Sequence, residues 1–318
     1  MSNISYKIKK ISKMNPSVAL RKFLSFDEVF TIAYRKRGKY ILPKEGIAEF
    51  EQISTDKHYW YADPILFTKD GKSFLFMELF DKKAGRGKMA YCLLTEDGPT
   101  PIKVVIDEPF HMSFPTVFEF DNDIYMLPET SSDKSFILYR AVSFPDKWER
   151  VKRFETEGLY LDTVITSVGE KSFNILTCEA SPSKEYECRF QKFTFTKEAD
   201  GDFTLTEDKE FNSCQEFDLF SRNGGPIFEY QGKRYVAAQQ SSFAEYGLYM
   251  NYYVYDESKK KIAVNPQFQR ITTSGIFVNG IRKGYGIHSY CFNDDYEVID
   301  YKYMTFAPLK HIQRIMGR

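Results

Sequence analysis

Hydrophobic and polar positions alternate along most of the chain in short runs broken by Asp, Asn and Gly, the period of half-buried strands joined by tight turns. One unit recurs five times: an apolar run, a two-residue polar turn, and a second apolar run that ends on a polar residue. The copies are ILFTKDGKSFLFME (65–78), TVFEFDNDIYMLPE (116–129), TVITSVGEKSFNILTCE (163–179), PIFEYQGKRYVAAQQ (226–240) and HSYCFNDDYEVIDYK (288–302). Their turns, Asp70-Gly71, Asp121-Asn122, Gly169-Glu170, Gln231-Gly232 and Asn293-Asp294, use residue types that tolerate the backbone angles of tight hairpins. From Gly71 through Asn122, Glu170 and Gly232 to Asp294 the intervals are 51, 48, 62 and 62 residues, enough at each step for a four-stranded sheet and its loops. Further strand-like stretches at 89–94, 136–142, 189–196, 203–207 and 249–255 supply outer strands.

Helical periodicity is confined to 17–26 and to the basic tail LKHIQRIMGR. The pattern therefore predicts an all-β, five-bladed β-propeller with a short N-terminal extension. Residues 1–50 form that extension and a candidate closing segment, 51–305 the propeller, and 306–318 the tail. A β-sandwich or two stacked β-domains would share the alternation, but the repeat crosses the midpoint of the chain without a linker or a change in composition.

Composition narrows the function. The chain has 318 residues with 29 Phe and 22 Tyr but only 2 Trp, an aromatic content that favours pleated surfaces. Lys and Arg total 44 against 44 Asp and Glu, so the broad positive field behind most nucleic-acid binding is missing and no such partner is expected. No apolar run reaches the roughly 18 residues of a membrane helix. Cys92, Cys178, Cys188, Cys214 and Cys291 form no C-x-x-C pair, which argues against a disulfide framework and a zinc site. The first twenty residues are basic and lack a signal-peptide core, so a cytoplasmic location is expected.

The starts of the hairpins are polar where buried strands should not be. They read Tyr61-Ala62-Asp63-Pro64, His111-Met112-Ser113-Phe114-Pro115, Leu161-Asp162-Thr163, Ser221-Arg222-Asn223-Gly224-Gly225 and Gly286-Ile287-His288. In a propeller these positions converge on the axis, which predicts a pocket rich in acids, bases and anion-binding groups. The second strands end on Glu78, Glu129, Glu179 and Gln239-Gln240. Two carboxylates across a glycosidic bond would supply a general acid and a base or nucleophile. Asp63 would equally serve as a turn residue before Pro64, and Glu78 and Glu179 as rim residues. Arg222 suits bidentate recognition of a phosphate or sugar carboxylate, or a structural clamp. The aromatic group His58-Tyr59-Trp60-Tyr61 would stack on a sugar or fill the core. The histidines have no metal-ligand spacing, and no P-loop or G-x-G-x-x-G is present; no metal or cofactor is expected.

The ordered set WYADPILF (60–67), EPFHMSFPTVFEFDNDIYMLPET (108–130), SFPDKWERV (143–151), LDT (161–163), SRNGGPIFEYQGKRYVAAQQSS (221–242), GIHSYCF and EVID (286–300) resembles the five-bladed propeller region at the N-terminus of plant glucosamine inositolphosphorylceramide transferases and of bacterial surface-polysaccharide proteins. That group in turn looks like glycosidase and glycosyltransferase propellers with an axial base, modulator and acid. Asp63 matches the first-blade acid. The second blade starts on Ser113-Phe114-Pro115 instead of an acid, and Asp162 stands where hydrolases usually present Glu; Glu129 would substitute from a neighbouring strand.

The resemblance implies a carbohydrate-active protein, first of all a glycosyl-transferring enzyme of surface-polysaccharide or glycolipid biosynthesis. A non-catalytic glycan- or partner-binding propeller and a glycoside hydrolase are the alternatives. The expected catalytic residues are Asp63, Glu129 and Asp162, and the expected substrate contacts are Tyr61, His111, Ser113, Arg222, Gln239 and His288. Expected partners are a sugar, activated sugar or glycolipid, other biosynthetic proteins, and a weak contact of the basic tail with a membrane surface.

Overall fold

A computed structural model describes residues 9–24, 26–54, 58–264 and 268–308. The alternating runs become five antiparallel sheets. Blade one holds Tyr59–Lys69, Lys72–Asp81 and Arg86–Thr95, edged by Gly98–Pro99 and Lys103–Ile106. Blade two holds Ser113–Phe120, Asp123–Glu129, Ser135–Ser143 and Lys147–Glu155. Blade three holds Tyr160–Val168, Ser172–Ala180, Cys188–Lys197 and Phe203–Glu207. In blade four Arg222–Asn223 and Phe228–Tyr230 both pair with Lys233–Gln240, followed by Tyr249–Tyr255 and Ala263–Val264. The fold is the expected five-bladed propeller.

Blade five is built from both ends of the sequence. Its inner strands Gly284–Gly286 and Tyr290–Phe292 pair with Tyr296–Phe306, and this long strand then pairs with Phe26–Lys36. The register runs unbroken from Phe26 opposite Phe306 to Lys36 opposite Tyr296. Ala48–Gln52 and the parallel strand Ile276–Val278 finish the sheet. Residues 26–52 are thus integral to a blade that closes the ring, and closure removes the open edges that invite aggregation. The tail from 309 onward, with His311, lies outside the described residues.

Aromatic rings fill the spaces between blades. Phe118, Phe120, Phe173, Phe195 and Phe203 form one buried cluster between blades two and three, with Phe173 stacked on Phe195 at 4.8 Å. Burying each such ring contributes about 2–3 kcal/mol, which is the structural use of the high Phe count. All five cysteines are free thiols, and only Cys214 is partly exposed.

One local distortion repeats and aims the functional side chains. The first strands of blades one, two and three each slip register at the same place, between Ala62 and Ile65, Ser113 and Thr116, and Leu161 and Val164. At these bulges Asp63, Phe114 and Asp162 adopt φ of 50°, 46° and 45°. A non-glycine residue in the left-handed region is strained unless its surroundings hold it there, and a bulge turns a side chain off the ordinary pleat.

Candidate functional site

Pairing fixes which second-strand residues stand opposite the bulges. Glu78 pairs with Ala62, Glu129 with Ser113, Cys178 with Leu161, and Gln239 with Arg222; in blade five the Asp300 N–H donates to the Ser289 carbonyl. The equivalent positions are therefore Glu78, Glu129, Cys178, Gln239 and Asp300. Glu179, expected in this set, falls one residue beyond: it pairs with Tyr160 and binds Arg189 at 2.6 Å. A one-residue offset along a strand moves a side chain to the opposite face.

Asp63, Glu78, Glu129, Asp162 and Asp300 are all buried, with exposures of 0–6%. On the blade-five side, the His288 imidazole lies between two carboxylates, Nδ1 in an ion pair with Asp300 Oδ2 and Nε2 3.6 Å from Asp63 Oδ1. Asp300 is held by the backbone N–H groups of His288 and Ser289 at 2.9 and 2.8 Å, and the Ser289 hydroxyl donates to Asp63 Oδ1 at 3.1 Å. Burial opposes charge on His288, but Asp300 and Asp63 outweigh it and hold the imidazole pKa above its usual value.

On the blade-three side, Arg222 Nε donates to Asp162 Oδ2 at 2.5 Å, and Gln239 Nε2 donates to the same oxygen at 3.0 Å. Glu129 Oε2 accepts the Asp162 N–H at 3.2 Å and lies 3.8 Å from Arg222 Nη2; its Oε1 accepts from the Ser131 hydroxyl at 2.7 Å. The guanidinium stacks over Tyr246 at 5.1 Å, and the same ring meets His288 at 5.1 Å. Tyr246 thereby joins the two halves of the site.

Glu78 lies in this acidic group with its Oε1 buried and unbonded. His111 approaches it at 3.7 Å through Nε2, while His111 Nδ1 accepts the Gly87 N–H at 2.8 Å. That acceptor role places the proton of a neutral imidazole on Nε2, facing Glu78; burial, with the nearby Arg222 charge, lowers the His111 pKa. Gly87 makes the room: a Cβ there would stand 2.2 Å from the Met112 carbonyl oxygen and 2.4 Å from Glu78 Oε1.

Desolvation is the largest cause of the perturbed acidities. It raises Asp63 to about 6, against the opposing charge of His288, and Asp162 to about 7, against Arg222. Glu78 is pushed well above the usual carboxylate range by burial and then by Asp63, Glu129, Asp162 and Asp300. One compact site thus contains carboxyl groups whose hold on the proton is strengthened by burial, Asp63 to about 6 and Glu78 in the same direction, the kind of perturbation on which acid and base chemistry draws.

The structure gathers Asp63, Glu129, Asp162, Arg222, Gln239, His288 and His111 around this centre, with Ser113 buried opposite Glu129. Tyr61 is placed elsewhere. It pairs with Leu79, one residue off the Ala62–Glu78 pair, and belongs to a core cluster with Ile32, Leu79 and Val298. Trp60 is not an open stacking platform: Phe80 stacks on it at 4.5 Å and Phe30 lies 5.9 Å away. With His111 6.1 Å from Phe80 and Phe30 4.4 Å from His288, these rings form a partly exposed rim. The sequence reading undervalued Glu78 and did not single out Asp300, Phe30 or Tyr246. Lining up the five second strands would have revealed Glu78 and Asp300, whereas Phe30 and Tyr246 carry no local signal.

Asp63, His288 and Asp300 offer ligand atoms within 4.8 Å of one another. Their donors are engaged mutually and with backbone N–H groups, so this set reads as a carboxylate–imidazole–carboxylate relay. A separate cavity of about 720 Å³, lined by Glu51, Phe277, Arg282 and Tyr301, opens at the outer edge of blade five and lacks such a constellation.

Residues 47–284 match the family model of the N-terminal region of glucosamine inositolphosphorylceramide transferase 1. The chain belongs to this family. It is 26% identical over 232 residues to the glucosamine inositolphosphorylceramide transferase 1 of Oryza sativa subsp. indica, a match covering 70% of this chain and 30% of the rice protein. The Arabidopsis thaliana protein of that name is 33% identical over 110 residues, 34% of this chain and 14% of its own. This member of the family therefore spans well under half of these relatives. The catalytic domain of a GH62 alpha-L-arabinofuranosidase from Coprinopsis cinerea superposes with a TM-score of 0.51 at 8% identity, covering 85% of this chain and 97% of that one, a likeness of fold alone. The family places this chain among carbohydrate-related propellers; Phe30, His288, Ser289 and Asp300 lie outside the matched segment.

Proposed function

We propose that the protein catalyses glycosyl transfer from a sugar-bearing donor to a hydroxyl acceptor, in glycolipid or surface-polysaccharide assembly. The carrying observation is the pairing of Asp63, raised only to about 6, with Glu78, held well above its usual value, inside one buried group of carboxyls. Asp63, oriented by Ser289 and His288, acts as base toward the acceptor hydroxyl or as nucleophile at the anomeric carbon. Glu78 protonates the departing oxygen, in place of the expected catalytic residues Glu129 and Asp162. Those two carboxylates instead bracket Arg222 and modulate the charge of the site, while Gln239 and His111 orient donor hydroxyls. The transferase named in the family description supports transfer over simple hydrolysis.

The test is a screen of labelled nucleotide sugars and glycosides with lipid and oligosaccharide acceptors, using wild type, Asp63→Asn and Glu78→Gln. Loss of about 10²–10⁴ in turnover with sugar binding retained is expected for both variants. The pH profile should be bell-shaped, its acid limb near the Asp63 value and its alkaline limb set by Glu78. Release of free sugar without acceptor product would replace transfer by hydrolysis. Sugar binding without any turnover would leave a recognition module.

A further inference from the structure

The N-terminal helix Pro16–Phe23 faces the wrong way for a helix that serves only to pack. Val18 is its one fully buried hydrophobic residue, whereas Leu20 is 58% exposed and Phe23 76%. Leu24 at the C-cap is 51% exposed. Positions i, i+3 and i+4 share one face, so these three side chains form an apolar stripe pointing into solvent. Ile11 and Phe306, also strongly exposed, lie before the helix and at the end of the closing strand. The rings of Phe26 and Phe306 meet at 5.5 Å, which brings the end of the closing strand to the foot of the helix. Exposed apolar side chains gathered along one helix face mark an interaction site.

Its charge is one-sided. Residues 9–24 contain Lys9, Lys10, Lys13, Arg21 and Lys22 and no Asp or Glu. Some of these cations fasten the segment down: Lys10 pairs with Glu185 at 2.8 Å and Lys22 with Glu28 at 2.6 Å. Lys9 and Lys13 are exposed in the segment that leads into the helix, Lys9 with its ammonium 5.5 Å from the centre of the Phe243 ring. An amphipathic helix with apolar residues outward and lysines at its flanks has the composition of a segment that lies in a lipid headgroup layer.

Its location relates it to the site. The hairpin turns at 70–71, 121–122, 231–232 and 293–295 lie at the strand ends far from the axial carboxylates, so the mouth opens on the opposite face. The closing strand runs from Asn293-Asp294-Asp295 past Asp300 and continues six residues, about 20 Å of chain, to Phe306 on the mouth side. The N-terminal segment reaches the same side: the Asn15 N–H donates to Glu245 at 2.9 Å, next to the Tyr246 that covers Arg222 and His288.

We infer that Leu20, Phe23, Leu24 and Phe306, preceded in the chain by the exposed Lys9 and Lys13, form a membrane-docking surface that seats the mouth of the propeller on an anionic lipid bilayer. The inference stands on exposure, charge and position and does not require the site to be catalytic. Phe23 and Leu20 enter the headgroup boundary while the lysines meet lipid phosphates. The mouth then faces the bilayer, so molecules anchored in the membrane reach it without leaving.

The experiment is flotation of the full chain with vesicles of phosphatidylcholine alone and with about 30% phosphatidylglycerol, a composition chosen to supply a strong negative surface potential. Wild type should float with the anionic vesicles, less so as salt is raised. A triple Leu20→Ser, Phe23→Ser, Leu24→Ser variant should lose at least tenfold in partition while keeping its thermal unfolding midpoint, since the three side chains are exposed. Phe23→Trp should give a blue-shifted emission increment on addition of anionic vesicles. No flotation, flotation unchanged by the triple substitution, or a concentration-dependent dimer that the substitution dissolves would each overturn the proposal, the last by making a second copy of the chain the occupant.

Discussion

Asp63→Asn should make the protein more stable, and only above a defined pH. The folded chain holds the Asp63 proton up to about pH 6, whereas the ordinary value is 3.8, so the native state binds protons more tightly than the unfolded one. By linkage, stability falls as pH rises between those values, and the ionised carboxylate then costs on the order of 3 kcal/mol. Asparagine keeps the shape and the acceptor for the Ser289 hydroxyl but cannot ionise, and His288 retains Asp300 as its partner. The gain should be near zero at pH 4, grow through pH 5 and 6, and level off by pH 7.5. Urea unfolding of both proteins at half-unit steps from pH 4 to 8 measures it. A variant less stable than wild type at pH 7.5, or a gain that does not change with pH, would refute the view that Asp63 is held ionised against a desolvation penalty. A gain accompanied by loss of turnover is the pattern of a functional group kept at a cost in stability.

Arg222→Gln should behave oppositely, losing about 3 kcal/mol at neutral pH because Asp162 and Glu129 stay buried without their shared cation; denaturant midpoints check this. Gly87→Ala should abolish turnover as completely as Glu78→Gln although it removes no functional group, since the added methyl occupies the space of the Glu78 carboxyl; an active alanine variant would show that Glu78 can move freely. Iodoacetamide applied to the native protein should modify Cys214 alone, because the other four thiols are buried and burial pushes Cys92 and Cys188 up to about 12; peptide mass spectrometry reads the result.

The blade count was readable because each hairpin announces itself through alternation and a two-residue turn, both local properties. Asp63 and Asp162 were readable for a related reason, as acids at the start of apolar strands. Register was not. The difference between Cys178 and Glu179 at the axis, or between Ala62 and Tyr61, depends on bulges that shift the pairing within the first hairpin of each blade by one residue. A slip of one position reverses inside and outside. Tyr61 therefore became a core residue and Glu78 a site residue. His288 was readable from its place in the repeat, and its hairpin partner Asp300 needed only the alignment of the second strands; the Phe30 rim was not readable, because it is brought to the axis by pairing of strands more than 260 residues apart.

That long-range pairing joins the relay at Asp300 to Phe30 across nearly the whole chain. Its imidazole and carboxylate sit on the last hairpin, and Phe30 beside them waits on a strand made near the beginning of translation. A nick or mispairing anywhere along that seam would therefore disturb Phe30 and the strand that carries Asp300 together, from a point remote from either in sequence.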